Sequence, residues 1–170
     1  KISISYWLKP NNENQGSSFL YVNDNAGAVG TRIFNVHHEW TNGLLYWDAT
    51  WGDGSDQRLS GDGGVGTDML HHYVLTFDGD SGAMQIYKDG GLLHSNTQSP
   101  QASLPWASIQ NMEIGAHSHS SYWVGGQLDD FAIIDHVLTP AEVTTASTLG
   151  IQALAVPEPS SALLAALGLL

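Results

Sequence analysis

The sequence predicts an all-β protein, a sandwich of two antiparallel sheets with one short helix near its C-terminus. Three observations lead to this prediction. Apolar and polar residues alternate with a period of two in many short segments, Gly, Asn and Asp cluster between these segments, and a single segment carries the residues that start a helix. Alternation puts the apolar side chains on one face of each strand, so two such faces packed together form a core.

Four strands are predicted in the first third of the chain, at residues 2–8, 19–22, 32–40 and 44–49. Pro10 ends the first strand because it lacks the amide proton that a ladder needs. The third and fourth strands form a hairpin, since Asn42-Gly43 favours the positive φ of a tight turn. A long loop rich in Gly and Asp is expected to follow over residues 52–68.

Five more strands are predicted, at residues 71–77, 83–87, 92–94, 112–116 and 127–134. The helix follows the last of them. Thr139 is its N-cap, Pro140 is its first residue, and Glu142 completes a capping box in which Thr139 and Glu142 satisfy each other's free amide groups. The helix is predicted to run to about Ser147.

Composition limits the possible functions. The 170 residues suit one domain with a short appendage. Asp and Glu number 17 against 5 Lys and Arg, so the formal net charge is −12 with histidines neutral. Nucleic acid is excluded as a partner because phosphate binding needs clustered Lys and Arg, and anionic polysaccharides would be repelled unless a cation bridged them. The chain has no cysteine, which excludes disulfides, cysteine-ligated zinc and thiol catalysis.

Four segments resemble, in order and spacing, the strands of laminin-G-like domains: ISISYWLKP at 2–10, HHYVLTFDG at 71–79, IYKDGGLL at 86–93, and GQLDDFAII from 126 into the helix. The resemblance covers residues 2 to about 147 and departs from the family pattern at Leu70, where Trp is usual. It implies a concanavalin A-like jelly roll of two antiparallel sheets over residues 1–149. It also implies that the family's first strand, and often a metal-ligand loop, would lie upstream of Lys1.

The C-terminal segment 156–170 resembles the PEP-CTERM sorting tail of Gram-negative envelope proteins. Pro157, Glu158 and Pro159 match the motif, an apolar run follows at 162–170, and the family's basic end is missing. The run covers about 14 Å of a bilayer core of about 30 Å, so we expect the start of a membrane helix cut by the end of the sequence. Residues 150–155 are predicted to be a linker.

The resemblance to a sorting tail implies a partner and a location. In that family an exosortase is thought to recognise and process the tail. We therefore expect a protein that is secreted or held on the envelope or surface of a Gram-negative bacterium, with membrane contact only through the tail. Together with the family's first strand expected upstream of Lys1, this implies that the sequence is a fragment of a longer protein.

Catalysis is not expected, although this fold also hosts glycoside hydrolases. A retaining glycosidase needs two carboxylates about 5–5.5 Å apart on one face. Asp129 and Asp130 are adjacent on a predicted strand and therefore point to opposite faces. The other acids lie in predicted turns and loops, where solvated turn formation explains them. We predict that this chain is not an enzyme, and an upstream catalytic domain stays open.

A calcium ion is a candidate cofactor, because acidic rim loops suit a hard cation and laminin-G-like relatives often hold one Ca²⁺. The candidate ligands are Asp24, Asp53, Asp129 and Asp130. Asp129 is expected to share a face with Phe131 and Ile133, and an acid on an apolar face needs a partner. The alternative is that these acids only form solvated turns.

Aromatic and histidine residues supply the candidate ligand-binding site. The chain has 6 Trp, and Trp51 and Trp123 lie nearest Gly-rich turns, so we expect them to be exposed. Tyr122 adjoins Trp123, and His117 and His119 come shortly before, close enough to bond sugar hydroxyls while the rings stack on sugar faces. The alternative is that these rings fill the sandwich and that the eight histidines are structural, since a transition-metal site needs three or four ligands.

The sequence therefore predicts a non-catalytic extracellular binding module, most simply for neutral glycan. One alternative is a structural adhesion module that binds a matrix protein or another copy of itself. Another is the targeting part of an enzyme whose catalytic domain lies upstream.

Overall fold

The alternating segments form ten strands in the computed structural model, which describes residues 1–11, 16–24, 32–50, 56–64, 66–100, 106–116 and 122–154. In chain order the strands are β1 (Ile2–Pro10), β2 (Ser18–Asn23), β3 (Arg32–His37), β4 (Leu44–Thr50), β5 (Asp56–Asp62), β6 (His71–Asp78), β7 (Ala83–Lys88), β8 (Gly91–Thr97), β9 (Asn111–Ile114) and β10 (Gly126–Ile134). Helix α1 (Pro140–Leu149) follows β10, and 3-10 helices cover Trp106–Ser108 and Ile151–Leu154.

The strands form two antiparallel sheets of five strands each, which confirms the predicted sandwich. Sheet 1 has the order β10-β1-β6-β7-β8, and sheet 2 has the order β5-β4-β3-β2-β9. Edge strand β5 of sheet 2 contacts edge strand β8 of sheet 1. The sandwich therefore closes on the β5/β8 side, and β9 and β10 border its other side.

The core consists of the inward faces of both sheets, as the period-two alternation predicts. Tyr6 of β1 stacks on Phe19 and Tyr73, with ring centroids 4.0 Å and 5.6 Å away. Trp47 of β4 is fully buried, and its indole N–H donates a 3.0 Å hydrogen bond across the sandwich to the Thr76 carbonyl. Burying each large apolar side chain stabilises the fold by about 1.5–3 kcal/mol.

A second, smaller cluster lies on the outer face of sheet 1, where α1 packs. Val74 and Tyr87 of the sheet meet Leu138 and Val143, and Ile151 and Leu154 pack partly buried against the same cluster. The capping box of α1 is present as predicted: the Thr139 side chain accepts from the Glu142 amide and the Glu142 carboxylate accepts from the Thr139 amide. Ile151 and Leu154 belong to the predicted linker 150–155, so this segment contacts the domain.

Two details differ from the expectation. The predicted loop at 52–68 contains strand β5, which was missed because Leu59 is the only large apolar residue on its inward face beside Gln57 and Gly61. The hairpin strand β3 ends at His37 and not at residue 40. The chain bends at His38 and Glu39, and the turn itself begins only after Trp40, whose amide donates a 2.9 Å hydrogen bond to the Leu44 carbonyl.

Helix α1 is the longest helix in the described ranges, and none of the helices there combines the length and the apolar composition that a membrane crossing needs. Residues 156–170, the predicted sorting tail with Pro157, Glu158 and Pro159, lie outside the described residues.

Candidate functional site

A row of side chains crosses the outer face of sheet 2 at matching register. His37 of β3 lies opposite Tyr46 of β4 on one side and Ser18 of β2 on the other. The Ser18 amide donates a 2.8 Å hydrogen bond to the Tyr122 carbonyl, which extends the row to the segment after β9. His37 and Tyr46 face outward because their neighbours Val36 and Trp47 are buried in the core.

The side chains along this line contact one another in sequence, and we call them the transverse row: Arg58, Tyr46, His37, Trp40 and Tyr122. His37, in the middle of the row, is buried, and the other members lie around it. The Arg58 guanidinium lies 4.7 Å from the centre of the Tyr46 ring. The ring centroid of His37 is 6.2 Å from that of Tyr46 and 4.4 Å from that of Trp40. Trp40 in turn lies 5.1 Å from Tyr122. Trp40 reaches the line from the hairpin turn between β3 and β4.

A cavity of about 200 Å³ opens within the row and is lined by His37, Trp40, Tyr46 and Arg58. The Tyr46 hydroxyl accepts a 2.7 Å hydrogen bond from the Asn42 side-chain amide, which directs the hydroxyl's own proton elsewhere. The indole N–H of Trp40 and the guanidinium of Arg58 are donors only. The lining therefore combines flat apolar rings with hydrogen-bond donors.

A buried carboxylate fixes Arg58 in the row. Asp48 of β4 is fully buried, and it accepts hydrogen bonds of 2.6 Å and 2.8 Å from Nε and Nη2 of Arg58. Its second oxygen also lies 3.4 Å from Nη1 of Arg32 and 3.5 Å from the Asn35 amide. A buried carboxylate is stable only with such partners, so this network holds the guanidinium in one position.

Of the predicted ligand residues, Tyr122 and Trp123 lie in the part of the chain that the structure describes. Tyr122 and Trp123 are 46% and 60% exposed, in keeping with an accessible site, and Tyr122 contacts Trp40. Trp51, His117 and His119 lie outside the described residues. Whether any of these residues binds a ligand stays a prediction.

The sequence reasoning missed most of the transverse row. His37 and Tyr46 join it through the register of β3 and β4, and Arg58 joins it through its guanidinium beside the Tyr46 ring. Strand β5, which carries Arg58, was itself assigned to a loop. The pattern that could have found two of them is the alternation of β3 and β4, in which His37 and Tyr46 stand next to core positions on facing strands of a hairpin.

The expectation for Asp129 was wrong because β10 contains a bulge. On β1, Ser5 pairs with Ala132 and Trp7 pairs with Asp129. Only Tyr6 lies between Ser5 and Trp7, whereas two residues, Asp130 and Phe131, lie between Asp129 and Ala132 on β10. Asp130 has φ 47°. The extra residue reverses the alternation, so Asp129 is exposed on the outer face while Phe131 packs on the core.

The candidate calcium ligands do not converge in the part of the chain that the structure describes. Asp24 follows β2 of sheet 2, Asp129 and Asp130 lie on β10 of sheet 1, and Asp53 lies outside the described residues. Asp129 accepts a 2.9 Å hydrogen bond from the Asp130 amide, and Asp130 accepts one of 3.3 Å from the Gln152 side chain. Among the described His, Asp and Glu residues, no group of three is placed to hold a metal ion.

Comparison with known proteins identifies the family. Residues 1–144 match the laminin-G-like family described as the concanavalin A-like lectin/glucanases superfamily. No curated protein matches the sequence.

Several solved structures share the fold at low sequence identity. The CBM40 module of the Ruminococcus gnavus IT-sialidase, solved with alpha2,3 sialyllactose, has a TM-score of 0.65 and 18% identity over 86% of this chain and 82% of that one. A SAP-like pentraxin from Limulus polyphemus has a TM-score of 0.62 and 15% identity, covering 86% and 69%. The binding domain of botulinum neurotoxin serotype G has a TM-score of 0.63 and 14% identity, covering 86% and 35%.

Proposed function

Because the chain belongs to the concanavalin A-like lectin/glucanases superfamily, we propose that it is a non-catalytic glycan-binding module and that the transverse row is its binding site. The observation that carries the proposal is the cavity among His37, Trp40, Tyr46 and Arg58. Sugar rings present C–H faces that pack on flat aromatic rings, and their hydroxyl oxygens accept from donors such as a guanidinium. The row offers both kinds of contact side by side.

Two of the structures with a similar fold favour binding over catalysis as the proposed function. One is a carbohydrate-binding module solved with a sialylated sugar, and another is a toxin's binding domain. The cavity lining, as far as described residues form it, contains no carboxylate. Glycoside hydrolysis uses two carboxylates at the scissile bond, so this cavity suits a module that binds a glycan without cleaving it.

Neutral glycan is the ligand class that we propose. The net charge of −12 opposes the approach of an anionic polymer. Arg58 could attract an acidic sugar, but two hydrogen bonds already join its guanidinium to the Asp48 carboxylate. The Asp48 carboxylate offsets part of the positive charge of Arg58, and it shares this role between Arg58 and Arg32.

The test is a binding titration on a pair of matched variants, with lactose, alpha2,3 sialyllactose and alpha2,6 sialyllactose among the glycans of a binding array. Trp40 and Trp7 are both half-buried, but Trp7 lies on the outer face of sheet 1 against His72, with ring centroids 5.1 Å apart. We expect Trp40→Ala to weaken glycan binding by about tenfold or more and Trp7→Ala to leave it unchanged.

The melting temperatures of the two variants serve as the control, since each loses one half-buried indole. Equal binding by both variants would contradict the assignment of the site. Binding of only the sialylated sugars would replace the neutral ligand with an acidic one. No binding to any glycan would refute the proposed function.

One observation favours a second candidate, adhesion to another protein. Four apolar residues on the edge strands β9 and β10 are 41% to 49% exposed: Met112, Ile114, Leu128 and Ile133. Both strands border the side of the sandwich away from the β5/β8 contact, so an apolar strip lies there at the surface. Such a strip is typical of contact surfaces. Loss of adhesion after Met112→Lys with unchanged glycan binding would support this function.

We also propose that the segment at 156–170 is a sorting tail processed by an exosortase, which would put the module outside the cell or on the envelope. The support is the match of Pro157, Glu158 and Pro159, followed by an apolar run. Expression of the full chain in Gram-negative cells with and without an exosortase tests this. Replacement of Glu158 by Ala should abolish processing, and a tail of unchanged mass in both strains would contradict the proposal.

A further inference from the structure

We infer that the transverse row binds several consecutive units of an extended glycan, lying across the strands of sheet 2, and not one terminal sugar. This inference rests on the proposed function and adds the class of ligand: an oligosaccharide or an internal stretch of a polysaccharide. It follows from the length of the row, from the size of its cavity and from the difference between its two ends.

The register fixes the direction and the length of the row. Tyr46, His37 and Ser18 lie opposite one another on β4, β3 and β2, and the Ser18 amide bonds the Tyr122 carbonyl. Neighbouring strands lie about 4.8 Å apart, so the line from Tyr46 to Tyr122 spans three strand spacings, or about 14 Å. Arg58 stands opposite Asp48, two residues along β5 from the position opposite Tyr46, and its guanidinium lies 4.7 Å from the Tyr46 ring. The row with this guanidinium spans about 19 Å. A single sugar ring is much shorter than this surface.

The cavity accounts for only part of that length. Its volume of about 200 Å³ lies below the roughly 300–1,000 Å³ of pockets that enclose a drug-sized ligand. Only a small part of a glycan fits inside it. The rest of the chain would lie on the half-buried ring of Trp40 and the exposed ring of Tyr122, whose centroids are 5.1 Å apart.

The two ends of the row differ in chemistry. At the Arg58 end, a guanidinium held by Asp48 and the Tyr46 hydroxyl offer hydrogen-bond donors around a concave space. At the other end, Tyr122 and the adjacent Trp123 expose about half of their surface. The cavity end therefore orients one unit by hydrogen bonds, while the exposed end adds affinity through packing with further units.

The experiment is a length series on the intact chain. Wild type is titrated with ladders of one to six units from β1,4-glucan, β1,3-glucan, β1,4-mannan and poly-N-acetyllactosamine, and with alpha2,3 sialyllactose as a short, acid-terminated probe. For at least one ladder we expect affinity to rise about tenfold or more between one unit and three, and then to level off once the row is filled. Equal affinity for one unit and for longer chains would overturn the inference while leaving the proposed function in place.

Two variants show which part of the row produces the rise in affinity with glycan length. Tyr122 has φ 56°, a conformation that Asn tolerates, so Tyr122→Asn removes the ring without adding backbone strain. It should bind short oligomers as wild type does and lose the gain from longer ones. Tyr46→Ala should weaken binding at every length, and Trp7→Ala is the control. The inference fails if Tyr122→Asn follows the wild-type length series, or if sialyllactose alone binds. Failure of every glycan to bind wild type would refute the proposed function as well.

Discussion

His38 follows the last residue of β3 and is fully buried, so its charge state affects the stability of the fold. Its Nδ1 lies 3.1 Å from the Tyr6 hydroxyl, and its ring meets the Tyr73 ring edge-on at 4.4 Å. Burial, with a smaller effect of the Lys88 and His71 charges, lowers the pKa of His38 from 6.5 to about 3. The imidazole is therefore neutral in the folded protein at neutral pH.

We predict that the free energy of unfolding falls as the pH drops below 6.5. In this range the unfolded chain binds a proton at His38 and the folded chain does not. The free energy of unfolding therefore falls by up to about 1.4 kcal/mol per pH unit until the pKa of the folded state is reached. Urea unfolding at pH 7.5, 6 and 5 measures the slope. The slope should be shallower for His38→Gln, which keeps a hydrogen-bonding side chain. Identical slopes would contradict the assignment to His38.

Asp48 provides a second prediction at the scale of one residue. Asp48→Asn leaves the Arg58 and Arg32 guanidiniums without their shared carboxylate. Both guanidiniums are partly exposed, so water can solvate them, and we expect a loss of about 1–3 kcal/mol, less than for a fully buried pair. Asp129→Asn is the control, because Asp129 is exposed and such changes usually stay within about 0.5 kcal/mol. Denaturant unfolding of both variants decides the matter, and a loss below about 1 kcal/mol for Asp48→Asn would mean that the network does not stabilise the fold.

At the scale of elements, the sequence predicted what depends on local pattern. Nine of the ten strands and the capping box of α1 follow from alternation, turn residues and cap residues. The sequence did not predict strand β5, because β5 is a strand through its pairing with β4 and has little apolar content of its own. The bulge at Asp130 was not predicted either, because the position of the bulge depends on how β10 pairs with β1.

The residues of the candidate site also divide into those that a local sequence pattern predicts and those that strand pairing brings together. Tyr122 and Trp123 could be selected from the sequence because exposed aromatics near Gly-rich turns are an unusual local feature. Arg58 could not, because it becomes a neighbour of Tyr46 only through the pairing of β4 with β5. His37 and Tyr46 lie on predicted strands, but the predicted hairpin turn did not give the register that makes them neighbours. Cross-strand neighbours cannot be predicted when one of the strands has not been found.

The 3-10 helix Ile151–Leu154 lies in the predicted linker and yet packs on the domain. Ile151 and Leu154 pack against the cluster that holds α1 on sheet 1. A chain ending at residue 154 should unfold with wild-type stability. A chain ending at Gly150 should lose about 1–3 kcal/mol, because two partly buried apolar side chains are removed. Thermal and urea unfolding of both truncations, with wild type alongside, measures this. Equal stability of the two would show that residues 151–154 contribute nothing.

At the scale of the whole molecule, the excess of acidic groups raises the question of a bound cation. Calcium stays a prediction, and a Ca²⁺ that binds only the folded state would stabilise it by about 2.7 kcal/mol at 100 times its Kd. Thermal melts in calcium and in EDTA should then differ, and Asp129→Asn should reduce the difference if Asp129 is a ligand. Superimposable melts in calcium and in EDTA would remove calcium from the account.

The central claim is that the outer face of sheet 2 binds glycan along the transverse row. Amide and indole NMR shifts recorded during titration with the longest ladder that binds test it most directly. The account predicts saturable shifts at Tyr46, His37, Trp40 and Tyr122, with Trp7 and His72 on sheet 1 unchanged. Saturable shifts confined to sheet 1 or to the Asp129 region, with the transverse row unperturbed, would contradict it.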